Sequence, residues 1–142
     1  MMMKKLVKLQ SIIIGYLLLA AVAFVSGHPG LPVESEATQF ETRCGWLDNP
    51  TPANLSLFDR DGEWIIGVQG GHQVEGDWEW PTFRPRQWVS TNAGSYGYGC
   101  ACLQLRVDKE THKVLEIKSA RARLLSVCRR DRSLKRWRHM FK

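Results

Sequence analysis

Four cysteines are the residues with the clearest chemistry in this chain. Cys100 and Cys102 lie two positions apart in the stretch "YGYGCACLQLRV", and Cys44 and Cys128 lie far from them in the sequence. Thiols can join as disulfides in an oxidising compartment, or they can bind zinc as thiolates. A structural zinc site normally uses C-x₂₋₄-C spacing, which C-x-C does not match. The pattern therefore predicts two disulfides and no metal site.

The pairing of these cysteines is limited by strand geometry. Residues i and i+2 of a strand point to the same face, and their side chains are too far apart and too parallel to bond each other comfortably. Cys100 and Cys102 must therefore each find a partner elsewhere. Two connectivities remain open: Cys44–Cys100 with Cys102–Cys128, or Cys44–Cys102 with Cys100–Cys128. Either one predicts a central strand that is linked to both ends of the domain.

Aromatic residues are dense in this chain and indicate non-covalent binding. Trp78 and Trp80 lie in the acidic segment "GDWEWP", and Tyr96 and Tyr98 alternate with glycines in "NAGSYGYG". Exposed Trp and Tyr side chains are typical of protein interfaces and of sugar stacking. We therefore predict a binding surface formed by these four residues. The alternative, which we expect for Trp64, is that large side chains fill the core of a small sheet.

Titratable side chains suggest a second possibility, a small envelope hydrolase. The candidates are His72 with Glu75 or Asp77, and the pair Asp59 and Asp61. A histidine beside a carboxylate, or two close carboxylates, could act as general acid and base. No nucleophile motif such as G-x-S-x-G accompanies them, and Asp61-Gly62 also suits a type I′ hairpin turn. The sequence thus predicts no catalytic residue and no cofactor.

The elements that must position these residues are mainly strands. Turn-forming residues recur about every ten residues between β-rich runs, which predicts a mostly β protein with a small antiparallel sheet or a partly open barrel. "NLSLFDRDGEWIIGV" predicts one hairpin, and "YGYGCACLQLRV" with "HKVLEIKSARARL" predicts a second. "VEGDWEWPTFRPRQ" contains two prolines and predicts an irregular loop. A short C-terminal helix is predicted from the apolar stripe of Leu134, Trp137 and Phe141.

The N-terminal residues predict export. Three lysines precede the uncharged run "SIIIGYLLLAAVAFV", which has the length of a signal-peptide core and is too short to span a bilayer. We predict a signal peptide over residues 1–27, with cleavage after Ala23 and an uncleaved anchor as alternatives. A flexible spacer over 28–43, a disulfide-linked β domain over 44–128 and a basic tail over 129–142 are predicted to follow. The protein is expected in the periplasm or outside the cell, where its cysteines would be oxidised.

Positive charge is concentrated at the C-terminus. The chain carries 20 basic and 14 acidic residues, and the segment "RRDRSLKRWRHMFK" alone holds seven of the basic residues and one aspartate. This distribution indicates a basic tail rather than a basic domain surface, and export argues against a nucleic-acid partner. The apolar stripe of the tail could dock on the domain or lie on an anionic membrane surface.

Three stretches of the sequence resemble a known family. "CGWLDNPTPANLSLFDRDGEWIIGVQGGH", "QWVSTNAGSYGYGCACLQLRVD" and "LLSVCRRD" are similar to an uncharacterised family of exported bacterial proteins, domain of unknown function 4087. The resemblance runs from Cys44 to about Leu134. It implies a small exported bacterial domain with paired cysteines, and it implies no activity. The aromatic residues, on a domain held rigid by disulfides, favour a binding protein for another protein or an envelope component, as periplasmic inhibitors and immunity factors are.

Overall fold

The computed structural model describes residues 39–142. The predicted signal peptide and most of the predicted spacer lie outside the described residues. Six strands are present: β1 (Glu41–Thr51), β2 (Asn54–Phe58), β3 (Glu63–Gly67), β4 (Trp88–Ser90), β5 (Gly97–Asp108) and β6 (Lys113–Arg123). They are followed by helix α1 (Leu125–Arg130) and a 3₁₀ helix (Arg132–Trp137). Within this part of the chain, no helix is long and apolar enough to cross a bilayer.

The strands form one mixed sheet that closes on itself. Its order is β1-β2-β3-β6-β5-β4, and β1 pairs in addition with β5. All pairings are antiparallel except β3 with β6, which meet in parallel at Ile65 and Lys113. Five strands therefore surround a barrel interior, and the short β4 lies beside β5. The predicted mostly β fold is confirmed, and the parallel contact is a feature that the antiparallel prediction did not include.

Strand β1 begins earlier than the predicted domain. Its first residues, Glu41 to Arg43, pair with Leu105 to Leu103 of β5. The sequence predicts these three residues to be the end of the flexible spacer, because the proline-rich and then acidic stretch 28–43 has little periodicity. Pairing with β5 holds these residues in an extended strand, which the local sequence does not indicate.

Both predicted hairpins are present, but the first turn has a different geometry. β2 pairs with β3 and β5 pairs with β6 in antiparallel register. Gly62 is not among the residues with positive φ, so the predicted type I′ turn is wrong. Instead, Oδ1 of the buried Asp59 accepts hydrogen bonds from the amides of Asp61 and Gly62, at 2.7 and 3.0 Å. An aspartate side chain thus closes the turn.

Alternation along the strands fills the barrel interior. In β5, Ala101, Leu103 and Leu105 are buried inside, while Gln104 and Arg106 face outward. The predicted core position of Trp64 is confirmed, since this side chain is buried in the same cluster. The full set of buried interior residues is Leu47, Leu57, Trp64, Ile66, Ala101, Leu103, Leu105, Val107, Val114 and Ile117.

A second apolar cluster lies on the opposite face of β5, beneath the C-terminal segment, residues 131–142, which follows α1. Phe141 stacks on Trp46 with ring centroids 5.3 Å apart, and Trp137 meets Phe58 at 5.0 Å. The apolar stripe that the sequence indicated in the tail therefore docks on the domain. The buried members are Trp46, Phe58, Tyr98, Cys100, Leu125, Cys128, Leu134 and Phe141.

Two disulfides connect β5 to both ends of the barrel domain. Cys44–Cys102 joins directly opposed residues of β1 and β5, with a Cα–Cα distance of 4.0 Å. Cys100–Cys128 joins β5 to α1, with a Cα–Cα distance of 5.8 Å. The structure thus has the second of the two connectivities that strand geometry left open.

Candidate functional site

The connection between β3 and β4, together with the first residue of β4, holds a cluster of four aromatic rings. The ring of Trp80 lies 5.8 Å from that of Trp78, 6.2 Å from that of Phe83 and 5.8 Å from that of Trp88, measured between centroids. Trp80 is 41% exposed, and the other three side chains are half-buried. We call these four residues the aromatic surface. Trp78 and Trp80 lie together in it, and Phe83 and Trp88, which are not part of the binding surface predicted from the sequence, lie beside them.

The aromatic surface is supported from below by the barrel. Trp78 and Phe83 pack against the interior cluster. Trp88 pairs with Gly99 of β5, and a Cβ at Gly99 would lie 2.8 Å from Cε3 of Trp88 and would overlap the ring of Phe83. Glycine at this position therefore lets the rings lie directly on the strand. Rings that are fixed on one side and exposed on the other lose little freedom when a partner binds.

Tyr98 does not belong to this surface, and this part of the predicted binding surface is wrong. Its side chain is 4% exposed, and its hydroxyl donates a hydrogen bond to the carbonyl of Lys142. Its ring packs against Trp46 and Phe141. The alternation of tyrosine with glycine suggested a loop, but residues from Gly97 onward form the start of β5 and direct Tyr98 under the C-terminal segment.

Tyr96 lies immediately before β5 and is half-buried. Its carbonyl accepts hydrogen bonds from the amide of Thr91 at 3.1 Å and from the hydroxyl of Ser90 at 3.3 Å. Among residues 39–142, no ring contact joins Tyr96 to the aromatic surface. The structure therefore brings together two of the four predicted binding residues, Trp78 and Trp80.

The side chain of His72 contacts the backbone of the barrel. One of its ring nitrogens, Nε2, lies 2.8 Å from the carbonyl oxygen of Val114, and its own carbonyl accepts a hydrogen bond from the amide of Val68. These contacts attach the start of the β3–β4 connection to the barrel. In the described part of the chain, no hydrogen bond or ion pair joins His72 to Glu75 or Asp77.

The candidate pair Asp59 and Asp61 is bound to a single arginine. Nη1 of Arg43 donates to Oδ2 of Asp59 at 2.6 Å and to Oδ2 of Asp61 at 2.8 Å, and its Nε donates to Glu41 at 2.8 Å. The hydrogen bond from Arg43 holds the pKa of Asp61 below its ordinary value. The guanidinium group also lies 4.0 Å from the centroid of the Trp64 ring. The three carboxylates and Arg43 form a structural ion cluster, and a general acid at Asp61 would need a pKa shifted in the other direction.

Asp48 of β1 carries a carboxyl group with the opposite shift. Burial, with a smaller effect from the charge of Glu63, raises the pKa of Asp48 from 3.8 to about 6. The group is half-buried, and no hydrogen bond to it is formed within residues 39–142. The same region contains no group of three His, Cys, Asp or Glu residues that could hold a metal ion.

Comparisons with known proteins identify a family and no activity. A family model described as a protein of unknown function, DUF4087, matches residues 38–135. The match begins just before β1 and ends within the 3₁₀ helix, so it covers the barrel, the aromatic surface and both disulfides. No curated protein and no solved structure gives a match.

Proposed function

We propose that this chain, which belongs to the DUF4087 family of proteins of unknown function, is an exported protein that binds another protein through its aromatic surface. The observation that carries the proposal is the half-exposed ring of Trp80, held by three further rings on a disulfide-linked barrel. The two disulfides are compatible with export, because such bonds persist in oxidising compartments.

The arrangement of the rings favours a protein over a flat sugar. Neighbouring rings in the aromatic surface are inclined to each other by between 47° and 77°. Rings inclined in this way do not form a flat surface, and side chains of a partner can pack between them. Tryptophan is also enriched among the residues that contribute most to protein–protein binding.

Charged side chains surround the rings and indicate the character of the partner. Glu75, Asp77 and Glu79 are exposed on one stretch of the connection, and Arg84 and Arg86 are exposed on the next. None of the five makes an ion pair with another described residue. We therefore expect a partner with an apolar centre and with basic groups opposite residues 75–79, since complementary rim charges guide association.

The test begins with crosslinking of the tagged chain in the envelope of the source bacterium, followed by purification of the crosslinked protein. Binding of that protein is then measured by calorimetry for the wild type, Trp80→Ala and Met140→Ala. Loss of a central tryptophan is expected to weaken binding by about 30-fold or more. Met140 is 44% exposed and lies outside the aromatic surface, so its replacement is a matched control. Equal affinities of all three proteins would contradict the proposal.

A contact between the C-terminal tail and an anionic membrane is a separate proposal. Leu134 and Phe141 are buried against the barrel, so such a contact would depend on the exposed basic side chains and not on the apolar stripe. Electrostatic attraction of this kind is lost at high salt. Co-sedimentation with anionic vesicles at low salt, and none with neutral vesicles or at high salt, is the expected result. Binding that persists at high salt would contradict it.

A further inference from the structure

The two disulfides differ in their accessibility to solution. Cys100 and Cys128 are 1% and 4% exposed within the second apolar cluster. Cys44, in contrast, is exposed and Cys102 is half-buried on the outer face of the barrel. Disulfide exchange requires a thiolate to reach one of the sulfur atoms. The Cys44–Cys102 bond is therefore the one that an external thiol can attack in the folded protein.

A depression of about 360 Å³ lies beside this bond, over β5 and β6. Its lining contains one half of the disulfide, two arginines and no carboxylate. We call it the arginine depression, and it is formed by Thr42, Cys102, Gln104, Ser119, Arg121 and Arg123. Two guanidinium groups with nothing opposite to neutralise them favour a ligand with a carboxylate or a similar oxyanion.

The polar side chains of the arginine depression have no partners within the described chain. The side chains of Arg121 and Arg123 make no hydrogen bond or ion pair with another residue between 39 and 142. Arginines elsewhere on the barrel are paired: Arg43 with Asp59 at 2.6 Å, and Arg106 with Glu116 at 2.7 Å. The donors of the depression are thus free to bind a ligand without first breaking an internal contact.

Strand register aligns the disulfide with one of these arginines. Cys44 lies opposite Cys102 across β1 and β5, and Cys102 lies opposite Arg121 across β5 and β6. Directly opposed residues share a face of the sheet, so the three side chains form a row. A thiolate attacks a disulfide from the side remote from the sulfur that leaves. A ligand held by Arg121 therefore lies on the correct side of Cys102 to displace Cys44.

We propose that the arginine depression binds a low-molecular-weight thiol that carries a carboxylate, and that this thiol exchanges with the Cys44–Cys102 disulfide. Its thiolate forms a bond to Sγ of Cys102, the Sγ–Sγ bond breaks, and Cys44 leaves as a thiolate that water protonates. A second thiol then attacks the ligand sulfur of the mixed disulfide and releases Cys102. Two thiols are oxidised to one small disulfide, and the protein disulfide is reduced by two electrons. This activity is independent of binding at the aromatic surface.

The experiment compares three small thiols on the folded, full-length protein. These thiols are 3-mercaptopropionate, 2-mercaptoethanol and cysteamine, used at equal thiolate concentration. Samples are quenched with acid, alkylated and mapped by mass spectrometry. The anionic thiol is expected to react about tenfold faster than the cationic one, as two exposed charge contacts predict. It is expected to form its adduct on Cys102, to free Cys44 and to leave Cys100–Cys128 intact.

Variants test the role of the arginines. Arg121→Gln combined with Arg123→Gln should abolish the preference for the anionic thiol. Arg132→Gln combined with Lys135→Gln removes the same charge from two exposed positions of the 3₁₀ helix and should leave the preference unchanged. In the wild type, high salt should reduce the preference, because it screens exposed charges. The proposal is overturned by equal rates for the three thiols, by an adduct on Cys44, or by a preference that survives the loss of both arginines.

Discussion

Arg43 connects three parts of the barrel through one side chain. It lies in β1, binds the carboxylates of the β2–β3 turn and stacks on Trp64 of β3. Its side chain is 10% exposed and that of Asp59 is 4% exposed, so water does little to stabilise either charge. A buried charge that loses its partner is strongly destabilising, even where the intact pair contributes little.

Replacement of Arg43 should therefore be costly. We expect Arg43→Gln to lower the free energy of unfolding by about 3 kcal/mol, because Asp59 stays buried without a counter-charge. Urea denaturation at pH 7 measures the loss. Arg60→Gln is the control, since Arg60 is 76% exposed and lies 3.8 Å from Asp61. The control should lose less than about 0.5 kcal/mol. Similar losses in both variants would show that Arg43 does not have this connecting role.

Asp48 should make stability depend on pH in the direction opposite to that of Asp61. A carboxyl group whose pKa is raised on folding stabilises the protein fully below its unfolded pKa, and this contribution is lost as pH rises through the folded value. For Asp48 this contribution to stability is lost between pH 3.8 and about pH 6. Asp48→Asn should therefore raise the free energy of unfolding at pH 7 by about 1–2 kcal/mol, after allowance for solvent screening at this half-buried site.

The pH dependence separates this effect from a general stabilisation. Thermal melts at pH 3.5 should give nearly the same stability for Asp48→Asn and the wild type, with the difference developing up to pH 7. In Asp61→Asn the sign should be reversed, because Arg43 lowers the pKa of that group. The stability of Asp61→Asn should be lower at neutral pH and approach that of the wild type at acid pH. A gain in Asp48→Asn that is equal at both pH values would contradict this assignment.

At the scale of elements, the C-terminal segment is part of the fold and not an appendage. Phe141 contacts the rings of Trp46, Phe58 and Tyr98 and is 4% exposed. We expect Phe141→Ala to lower the free energy of unfolding by about 3–5 kcal/mol, measured by urea denaturation. Met140→Ala, next to it and 44% exposed, should change stability by less than about 0.5 kcal/mol. A Phe141→Ala variant as stable as the Met140 control would mean that the segment is detached in solution.

The hairpins were predictable because their signals are local. Alternating apolar residues on both sides of Asp61-Gly62 determine β2 and β3, and the polar segment "DKETHK" separates β5 from β6. Strand β1 was not predictable in this way, since its stretch "CGWLDNPT" contains glycine, proline and aspartate, which are rare in strands. A Cβ at Gly45 would lie 2.8 Å from the carbonyl carbon of Phe58, so the glycine is required for close approach of β1 to β2. Only the paired structure reveals that requirement.

The surfaces were predictable to a smaller extent than the strands. Trp78 and Trp80 could be placed together because one residue separates them. Tyr98 could not be placed, because its burial depends on the C-terminal segment, which crosses the sheet 44 residues later in the chain. The arginine depression likewise exists only through register, which aligns Cys44, Cys102 and Arg121 from three strands. Local sequence patterns contain no information on such long-range alignment.

At the scale of the whole molecule, the two disulfides have different structural roles. Cys44–Cys102 joins two strands that are already paired along most of their length. Cys100–Cys128 instead holds α1, and with it the C-terminal segment, against the outer face of β5. The loops that the two bonds close have sequence separations of 58 and 28 residues, so chain entropy alone predicts similar stabilisation of about 4 kcal/mol from each. The two disulfides should therefore differ in which part of the structure opens when each bond is removed.

Hydrogen exchange can locate that opening. In Cys100→Ala with Cys128→Ala, the amides of residues 125–141 should lose protection well before those of β5 and β6, because the segment then docks through apolar contacts alone. In Cys44→Ala with Cys102→Ala, the same amides should exchange only when the whole protein unfolds, as the amides of β5 and β6 do, because α1 remains covalently attached to β5. This second variant also represents the reduced state of the exposed disulfide. If both variants released the C-terminal segment equally, the buried bond would have no specific role in docking. The second apolar cluster would then be held together only by the stability of the barrel as a whole.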